Sequence, residues 1–227
     1  MRILLFFLWL LTACTTPAAD PGTPANPNSS ASNFLALGDS YTIGEGVGEA
    51  DRWGVQLARQ LQTEKITTPD IIARTGWTTA ELLSAIQAAN LQKTYELVSL
   101  QIGVNNQFRG QSVATYQTEF RQLLQLAVLR AGGRPRRVFV LSIPDWGRTP
   151  YAQGRDQTRI STEIDQFNAV ARQECQQAGV AFVDITPLTR AAAGDATQFT
   201  ADRLHYSGRH MQQWVQQALP VVQALLK

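Results

Sequence analysis

The fold of this chain is decided by the stretch Phe34-Leu-Ala-Leu-Gly-Asp-Ser-Tyr-Thr-Ile43. Residues 34–37 form a short apolar run of the kind found in buried strands, and Gly38-Asp39-Ser40 interrupts it. The Ser40 hydroxyl is therefore predicted on the turn that leaves the carboxyl end of a strand. In open parallel sheets, this end of the strands is where ligands bind.

Similar apolar runs recur along the chain, and segments with the spacing of amphipathic helices separate them. This alternation is typical of a parallel sheet that is covered by helices on both faces. One helix is predicted to begin at Thr78 or Thr79 with Glu81 in its first turn, and the last helix begins after Ser207 and is kinked at Pro220. The predicted strands are residues 34–37, 70–73, 96–102, 137–143 and 180–185.

The first residues have the features of an export signal. Arg2 precedes the apolar residues 3–11, which are too few for a membrane span of about 20 residues. Leu11-Thr-Ala-Cys14 resembles the lipobox of bacterial lipoproteins, in which the cysteine becomes the lipidated first residue. We expect a signal peptide at residues 1–13 and a lipid anchor on Cys14, facing the periplasm or the cell exterior. The alternative is an ordinary secretory signal with Cys14 as a free thiol.

Residues 14–32 follow as a tether rich in Pro, Ala, Ser and Thr, without a large apolar side chain after Cys14. Residues 33–227 are enough for one domain with a core and too few for two. The net charge of +2 and the scattered basic residues do not imply a nucleic acid partner. If Cys14 is lipidated, Cys175 has no disulfide partner, and its amphipathic segment predicts a buried helix residue.

Polar or small residues follow the first three predicted strands and are expected to meet at one edge of the sheet. Ser40 follows the first strand, Gly76 the second and Asn105 the third. The backbone N–H groups of Ser40 and Gly76 and the side-chain amide of Asn105 can together form an oxyanion hole. Glycine suits this role because it lets the backbone approach a substrate closely.

Asp202 and His205, three residues apart, supply what a serine nucleophile needs. His205 is predicted to take the Ser40 proton and return it to the leaving group, while Asp202 fixes the histidine tautomer. Alone, Gly-Asp-Ser is a common turn, and Asp202 with His205 could be a surface turn. Their order along the chain and their placement at strand ends favour catalysis.

These residues together resemble the four sequence blocks of the SGNH or GDSL hydrolases. Gly38-Asp-Ser40 matches the first block, Gly76 the second, Gly103-Val-Asn105 the third and Asp202-x-x-His205 the last, so the resemblance spans the domain. It implies a three-layer, doubly wound α/β fold of the flavodoxin-like kind, with five parallel strands in the order 2-1-3-4-5. It also implies ester hydrolysis without a metal or cofactor.

Two positions depart from the family pattern. Asn106 stands where the third block usually has an acid, which puts the acid's support of the active-site loop in question. After His205, the run Tyr206-Ser-Gly-Arg-His210 lacks the usual proline and glycine–aromatic pair. We expect catalysis to survive both changes, and we expect His210 to pack within the last helix or to face solvent.

The substrate pocket is predicted at the same rim. Trp77 follows Gly76, Asn106 follows Asn105, and Trp146 follows the fourth strand, so these three residues are expected to line the pocket. The alternative for the two tryptophans is packing over the core. Further candidates for polar substrate contacts are Glu45, Gln107 and Arg109.

The predicted function is a monomeric serine esterase of the lysophospholipase or short-chain type, which forms an acyl-enzyme on Ser40. A carbohydrate O-acetyl esterase would use the same residues and is the first alternative. A binding lipoprotein without catalysis is the alternative from another class, but no triad or oxyanion residue is missing. The chain lacks the Gly-x-Ser-x-Gly, Ser-x-x-Lys and His-Glu-x-x-His motifs of other hydrolases, and its two histidines make a metal site unexpected.

Overall fold

The computed structural model of the chain describes residues 33–227. The predicted signal peptide, Cys14 and the tether lie outside the described residues. Within residues 33–227, five parallel strands form one sheet in the order β2-β1-β3-β4-β5, which confirms the predicted topology. The strands are β1 (Phe34–Gly38), β2 (Asp70–Ala73), β3 (Leu97–Gln101), β4 (Val138–Leu141) and β5 (Ala181–Val183).

The three central strands are buried along their whole length, which explains why they appear in the sequence as apolar runs without alternation. The predicted third, fourth and fifth strands were too long at both ends. At their carboxyl ends, Ile102, Ile143 and Ile185 continue each apolar run but lie in the loops that follow. All three are at most 2% exposed, so the core extends past the last strand residue into the rim that carries the candidate site.

In the described part of the chain, eight α-helices follow or connect the strands. Helices α2 and α8 pack against each other, and α5 packs against both α3 and α6, so helices flank the sheet in the predicted three layers. The helices are α1 (Ser40–Ile43), α2 (Trp53–Gln60), α3 (Thr79–Ala88), α4 (Val104–Phe108), α5 (Val113–Arg130), α6 (Gln157–Ala178), α7 (Thr186–Ala191) and α8 (Gly208–Leu226).

The predicted helix starts are confirmed. Thr78 caps α3 in a capping box, in which the Glu81 side chain accepts from the Thr78 backbone N–H at 2.7 Å. Ser207 caps α8, which runs through Pro220 to Leu226. Cys175 is buried in α6 and makes no disulfide, and burial raises the pKa of its thiol to about 12. No helix between residues 33 and 227 combines the length and apolarity that a membrane crossing requires.

Candidate active site

Ser40 begins α1 directly after β1, on a turn that only glycine at position 38 allows. A Cβ atom at Gly38 would lie 2.1 Å from Thr42 Oγ1 and 2.6 Å from the backbone oxygen of Gln101. Asp39 caps the helix, because its Oδ1 accepts from the Tyr41 N–H at 3.1 Å. The Ser40 N–H lies at the helix start, where it has no acceptor within the helix. The turn therefore presents the Ser40 hydroxyl and N–H together.

Asp202 and His205 form a hydrogen-bonded pair next to this turn. The His205 Nδ1 and Asp202 Oδ2 atoms are 2.5 Å apart, and the His205 ring centroid lies 5.2 Å from that of Tyr41, the residue after Ser40. The last sequence block thus packs against the first. Orientation of the imidazole through Nδ1 leaves Nε2 as the nitrogen that can exchange a proton with a serine.

The Asp202 carboxylate is held ionised by its surroundings. Partial burial acts to raise its pKa, but hydrogen bonds from the His205 ring, the His205 and Leu204 N–H groups and the Thr200 hydroxyl hold the pKa well below its usual range. The two backbone bonds are 2.9 Å long and the Thr200 bond is 2.7 Å long. A permanently charged carboxylate at this position stabilises a protonated imidazole.

Gly76 and Asn105 are the other two residues that the sequence analysis predicts in the oxyanion hole. Gly76 has φ of +85°, a backbone conformation that favours glycine. Within residues 33–227, its N–H donates to no protein group. Asn105 donates one amide hydrogen to the Trp77 carbonyl at 3.0 Å, which leaves the second available for a ligand. The backbone N–H groups and the amide are therefore free to bind an oxyanion.

The family model of the GDSL-like lipases and acylhydrolases matches residues 36–212. The chain belongs to this family. It is therefore a GDSL-type serine hydrolase. No curated protein sequence matches the chain.

Solved structures with this fold include several hydrolases. TesA is 20% identical with a TM-score of 0.65, over 85% of this chain and 98% of that chain. A lipase/acylhydrolase from Enterococcus faecalis is 23% identical with a TM-score of 0.60, over 85% and 94%. A catalytic mutant of Axe2, an acetylxylan esterase from Geobacillus stearothermophilus, is 17% identical with a TM-score of 0.63, over 85% and 94%. These likenesses show the shared fold.

Asn106 does not line a pocket in this GDSL hydrolase, and that prediction is wrong. Its side chain is fully buried, accepts from the Thr79 N–H at 3.1 Å, and donates to the Thr79 hydroxyl at 2.6 Å and to Gln111 Oε1 at 2.8 Å. An amide can accept and donate at once, so Asn106 ties α4 to the start of α3. This is how a neutral residue supports the loop at the position where the family usually has an acid.

Trp146 packs over the core of the hydrolase, so the prediction that it lines the pocket is wrong as well. It is 4% exposed, its Nε1 donates to Gln107 Oε1 at 2.7 Å, and the edge of its ring packs against Phe108 with centroids 5.2 Å apart. Gln107 in turn donates to Glu163 at 2.7 Å, so both ends of its amide make contacts within the protein rather than the predicted contact with a substrate.

Trp77 and two residues that the sequence analysis missed have exposed aromatic surface. Trp77 is partly exposed and borders an open cavity of 450 Å³, which Ala80, Ser84 and neighbouring residues of α3 also line. Phe108 and Tyr151 are large aromatic residues with 46% and 38% of their surface exposed. Phe108 lies three residues after Asn105, and this helical spacing was the signal that could have found it.

His210 belongs to the core rather than to the site. It is 1% exposed, its Nδ1 lies 2.9 Å from Gln198 Oε1, and its ring stacks on Tyr206 at 4.6 Å between centroids. Burial lowers the pKa of His210 to about 4, so the ring is neutral at physiological pH. In the part of the chain that the structure describes, no group of three or more His, Cys, Asp or Glu side chains could hold a metal ion.

Proposed function

We propose that this enzyme hydrolyses carboxylic esters through an acyl-enzyme on Ser40, with Asp202 and His205 as the other catalytic residues. The observation that carries the proposal is the Asp202–His205 pair. Its Oδ2 and Nδ1 atoms are 2.5 Å apart, and the His205 ring packs against Tyr41, the residue that follows Ser40. A serine hydroxyl is a weak nucleophile without a base that accepts its proton. The ionised Asp202 keeps His205 in the orientation that this base requires.

In the proposed reaction, His205 takes the Ser40 proton while Ser40 Oγ attacks the ester carbonyl carbon. The N–H groups of Ser40 and Gly76 and the free amide hydrogen of Asn105 stabilise the negative oxygen of the tetrahedral intermediate. His205 then returns the proton to the departing alcohol. In the second half of the reaction, His205 takes a proton from water while the water oxygen attacks the carbonyl carbon of the acyl-enzyme. His205 then returns the proton to Ser40 Oγ, the acid is released and the free enzyme is restored.

We propose a short-chain or lysophospholipid ester as the substrate class. The cavity that Trp77 borders supports an apolar acyl group, because Trp77 and three alanines, Ala80, Ala85 and Ala88, are among the six residues that line it. Its volume of 450 Å³ and its open form suit a chain that lies along α3 rather than one buried in a tunnel.

A second candidate is the removal of acetyl groups from a carbohydrate. Phe108 and Tyr151 are 46% and 38% exposed, and the Arg155 guanidinium lies over the Tyr151 ring, 4.9 Å from its centre. Flat aromatic faces beside a polar group suit a sugar ring, which has an apolar side and polar edges. Axe2, which shares the fold, is an acetylxylan esterase.

The test is turnover of p-nitrophenyl acetate, butyrate and octanoate by the wild type and by the Ser40→Ala variant. We expect the wild type to release p-nitrophenol and the variant to show no turnover at an unchanged unfolding temperature. Activity that rises from acetate to octanoate supports the lysophospholipid ester, activity that is highest with butyrate supports the short-chain ester, and activity confined to acetate supports deacetylation. A folded wild type that hydrolyses none of the three, nor acetylated xylan or a lysophospholipid, would favour the binding lipoprotein.

We also propose that a lipid on Cys14 holds the enzyme at the bacterial envelope. The lipobox-like Leu11-Thr-Ala-Cys14 and the tether after it support this location. Radiolabelled palmitate should label the wild type and not a Cys14→Ser variant, and equal labelling of both would contradict the anchor.

A further inference from the structure

We propose that Arg109 is a positioning residue, which holds the Gly76 loop so that the Gly76 N–H points at the oxyanion. The inference rests on the proposed function, because it assigns a role in the same reaction. Arg109 does not touch the reacting atoms. It acts through the loop that carries the oxyanion donor.

The Arg109 side chain links Gly76, in the middle of this loop, to Glu81 in the first turn of α3. Its Nη2 donates to the Gly76 carbonyl oxygen at 2.6 Å, and its Nη1 lies 3.4 Å from Glu81 Oε1. The other oxygen of Glu81 accepts from the Thr78 N–H at 2.7 Å at the start of α3. A guanidinium has several donors in one plane, so a single side chain can reach the carbonyl and the carboxylate together.

The backbone of Arg109 adjoins α4, the helix that carries another oxyanion donor, Asn105. Arg109 ends α4, and its backbone N–H donates to the Asn105 carbonyl at 3.0 Å. The Asn105 side chain meanwhile donates to the Trp77 carbonyl. Asn105 in α4 and Arg109 at the carboxyl cap of α4 thus hold two consecutive carbonyls of the loop, which ties the Gly76 loop to the element that carries the Asn105 donor.

The Gly76 peptide groups need this support. Among residues 33–227, Arg109 is the one side chain that hydrogen-bonds to the backbone of Gly76. The neighbouring Thr75 hydroxyl donates to Glu45, which anchors the other side of the loop to the chain after α1. Glycine has more backbone conformations open to it than any other residue, so the loop would lose the orientation of its N–H when the carbonyl is released.

Direct substrate binding is the alternative role, since the Arg109 side chain is 46% exposed. The contacts favour positioning, because Nη1 and Nη2 already face Glu81 and Gly76 and the carboxylate offsets the positive charge. The two roles predict different kinetics. A positioning residue changes kcat for every ester, whereas a binding residue changes KM for esters with a negative charge.

The experiment measures kcat and KM of the full-length Arg109→Gln variant, purified in detergent, with p-nitrophenyl butyrate and with mono-p-nitrophenyl succinate. We expect kcat to fall about tenfold for both esters with KM within about twofold, less than the 10²–10³-fold cost of deleting an oxyanion donor. In an Arg109→Ala variant, added guanidinium ions at tens of millimolar should restore part of kcat. Urea at the same concentration should not.

Arg134→Gln is the matched control. Arg134 also donates to backbone carbonyls and pairs with a glutamate, Glu96, and its side chain is 42% exposed. It precedes β4, at the opposite edge of the sheet from the site. Its loss should leave kcat unchanged. If Arg109→Gln does not fold, Glu81→Gln breaks the charged link while an amide oxygen still caps Thr78, and kcat should fall with KM unchanged.

Two results would overturn this inference and leave the proposed function intact. One is an active wild type whose Arg109→Gln variant, folded by its unfolding temperature, keeps the wild-type kcat. The other is a rise in KM for the succinate ester with no change in kcat. A wild type that hydrolyses no ester would overturn the proposed function, and the inference with it.

Discussion

At the scale of single residues, the pKa values of two carboxyl groups near Ser40 are shifted in opposite directions. Asp202 accepts four hydrogen bonds, and they keep the pKa of its carboxyl well below the usual range. Asp39 is completely buried, its Oδ2 has no partner in the described structure, and burial raises the pKa of its carboxyl to about 7. In the proposed reaction, Asp202 acts through its negative charge, whereas Asp39 acts as the cap of α1.

Replacement of Asp202 by Asn should remove the charge that stabilises a protonated His205. We expect kcat to fall about 10³–10⁴-fold in Asp202→Asn, since loss of the triad carboxylate leaves the histidine in the wrong tautomer. Steady-state kinetics with p-nitrophenyl butyrate measures the fall, and circular dichroism checks the fold. A variant with more than a tenth of the wild-type kcat would contradict the assignment of Asp202.

Replacement of Asp39 by Asn should change the pH dependence of stability. Burial raises the pKa of the Asp39 carboxyl from its ordinary value of 3.8 to about 7, so the folded state binds more protons than the unfolded state between these values. The free energy of unfolding of the wild type therefore falls as the pH rises from about 4 to about 7. An asparagine keeps the Oδ1 acceptor for the Tyr41 N–H and cannot ionise.

We expect Asp39→Asn to match the wild type at about pH 4 and to exceed its free energy of unfolding by up to about 4 kcal/mol at about pH 8, since one pKa unit corresponds to about 1.4 kcal/mol. Urea unfolding at both pH values measures the difference. A difference that does not grow with pH would show that Asp39 is not held neutral by burial.

At the scale of elements, the turn between β1 and α1 depends on the absence of a side chain at Gly38. Gly38→Ala places a Cβ atom 2.6 Å from the Gln101 carbonyl oxygen, which is backbone of the neighbouring strand and cannot move freely. We expect a loss of about 3 kcal/mol or more in the free energy of unfolding, at the upper end of overpacking costs. Activity should fall as well, because the shift moves Ser40.

The control for this turn is Gly48→Ala, in the loop after α1. A Cβ atom there would have Asp51 Oδ2 as its nearest neighbour at 3.9 Å, and the backbone is not in the left-handed region. Its free energy of unfolding should stay within about 0.5 kcal/mol of the wild type. Equal effects of the two alanines would mean that the turn adapts to a side chain.

Sequence patterns predicted the elements better than the contacts between them. The Thr78 cap and the start of α8 follow from local spacing, because the bonds join residues three positions apart. The strand ends were less certain, since Ile102, Ile143 and Ile185 are buried with or without strand pairing. The predictions for Asn106 and Trp146 were wrong because their partners, Thr79 and Gln107, lie on other elements that are distant in sequence.

At the scale of the whole molecule, Asp145 joins parts of the fold that are far apart in sequence. The residue is fully buried after β4, its Oδ2 lies 2.8 Å from Arg190 Nε after β5, and its carbonyl accepts from the Tyr206 hydroxyl at 3.4 Å. Tyr206 follows His205 directly. The loop of the proposed base is thus joined to the loop after β4, and through Asp145 to α7, at the carboxyl edge of the sheet.

Removal of this carboxylate in Asp145→Ala should leave Arg190 partly buried without one of its two carboxylate partners. We expect the free energy of unfolding to fall by about 2–3 kcal/mol, below the usual cost of breaking a buried pair because Arg190 is one-third exposed and also pairs with Asp165. Urea denaturation measures the loss. An unchanged midpoint would show that the Asp145–Arg190 pair adds nothing to the stability of the protein.

The sequence by itself determined the alternation of strands and helices, the glycine turn before Ser40 and the set of residues that meet at the sheet edge. These depend on local apolar spacing and on the rule that parallel strands end at one rim. Only the tertiary structure decided that Asn106 and Trp146 are buried and that Arg109 and Glu45 hold the Gly76 loop. The exposure and bonding of a side chain depend on neighbours that are distant in sequence, and local patterns carry no information about them.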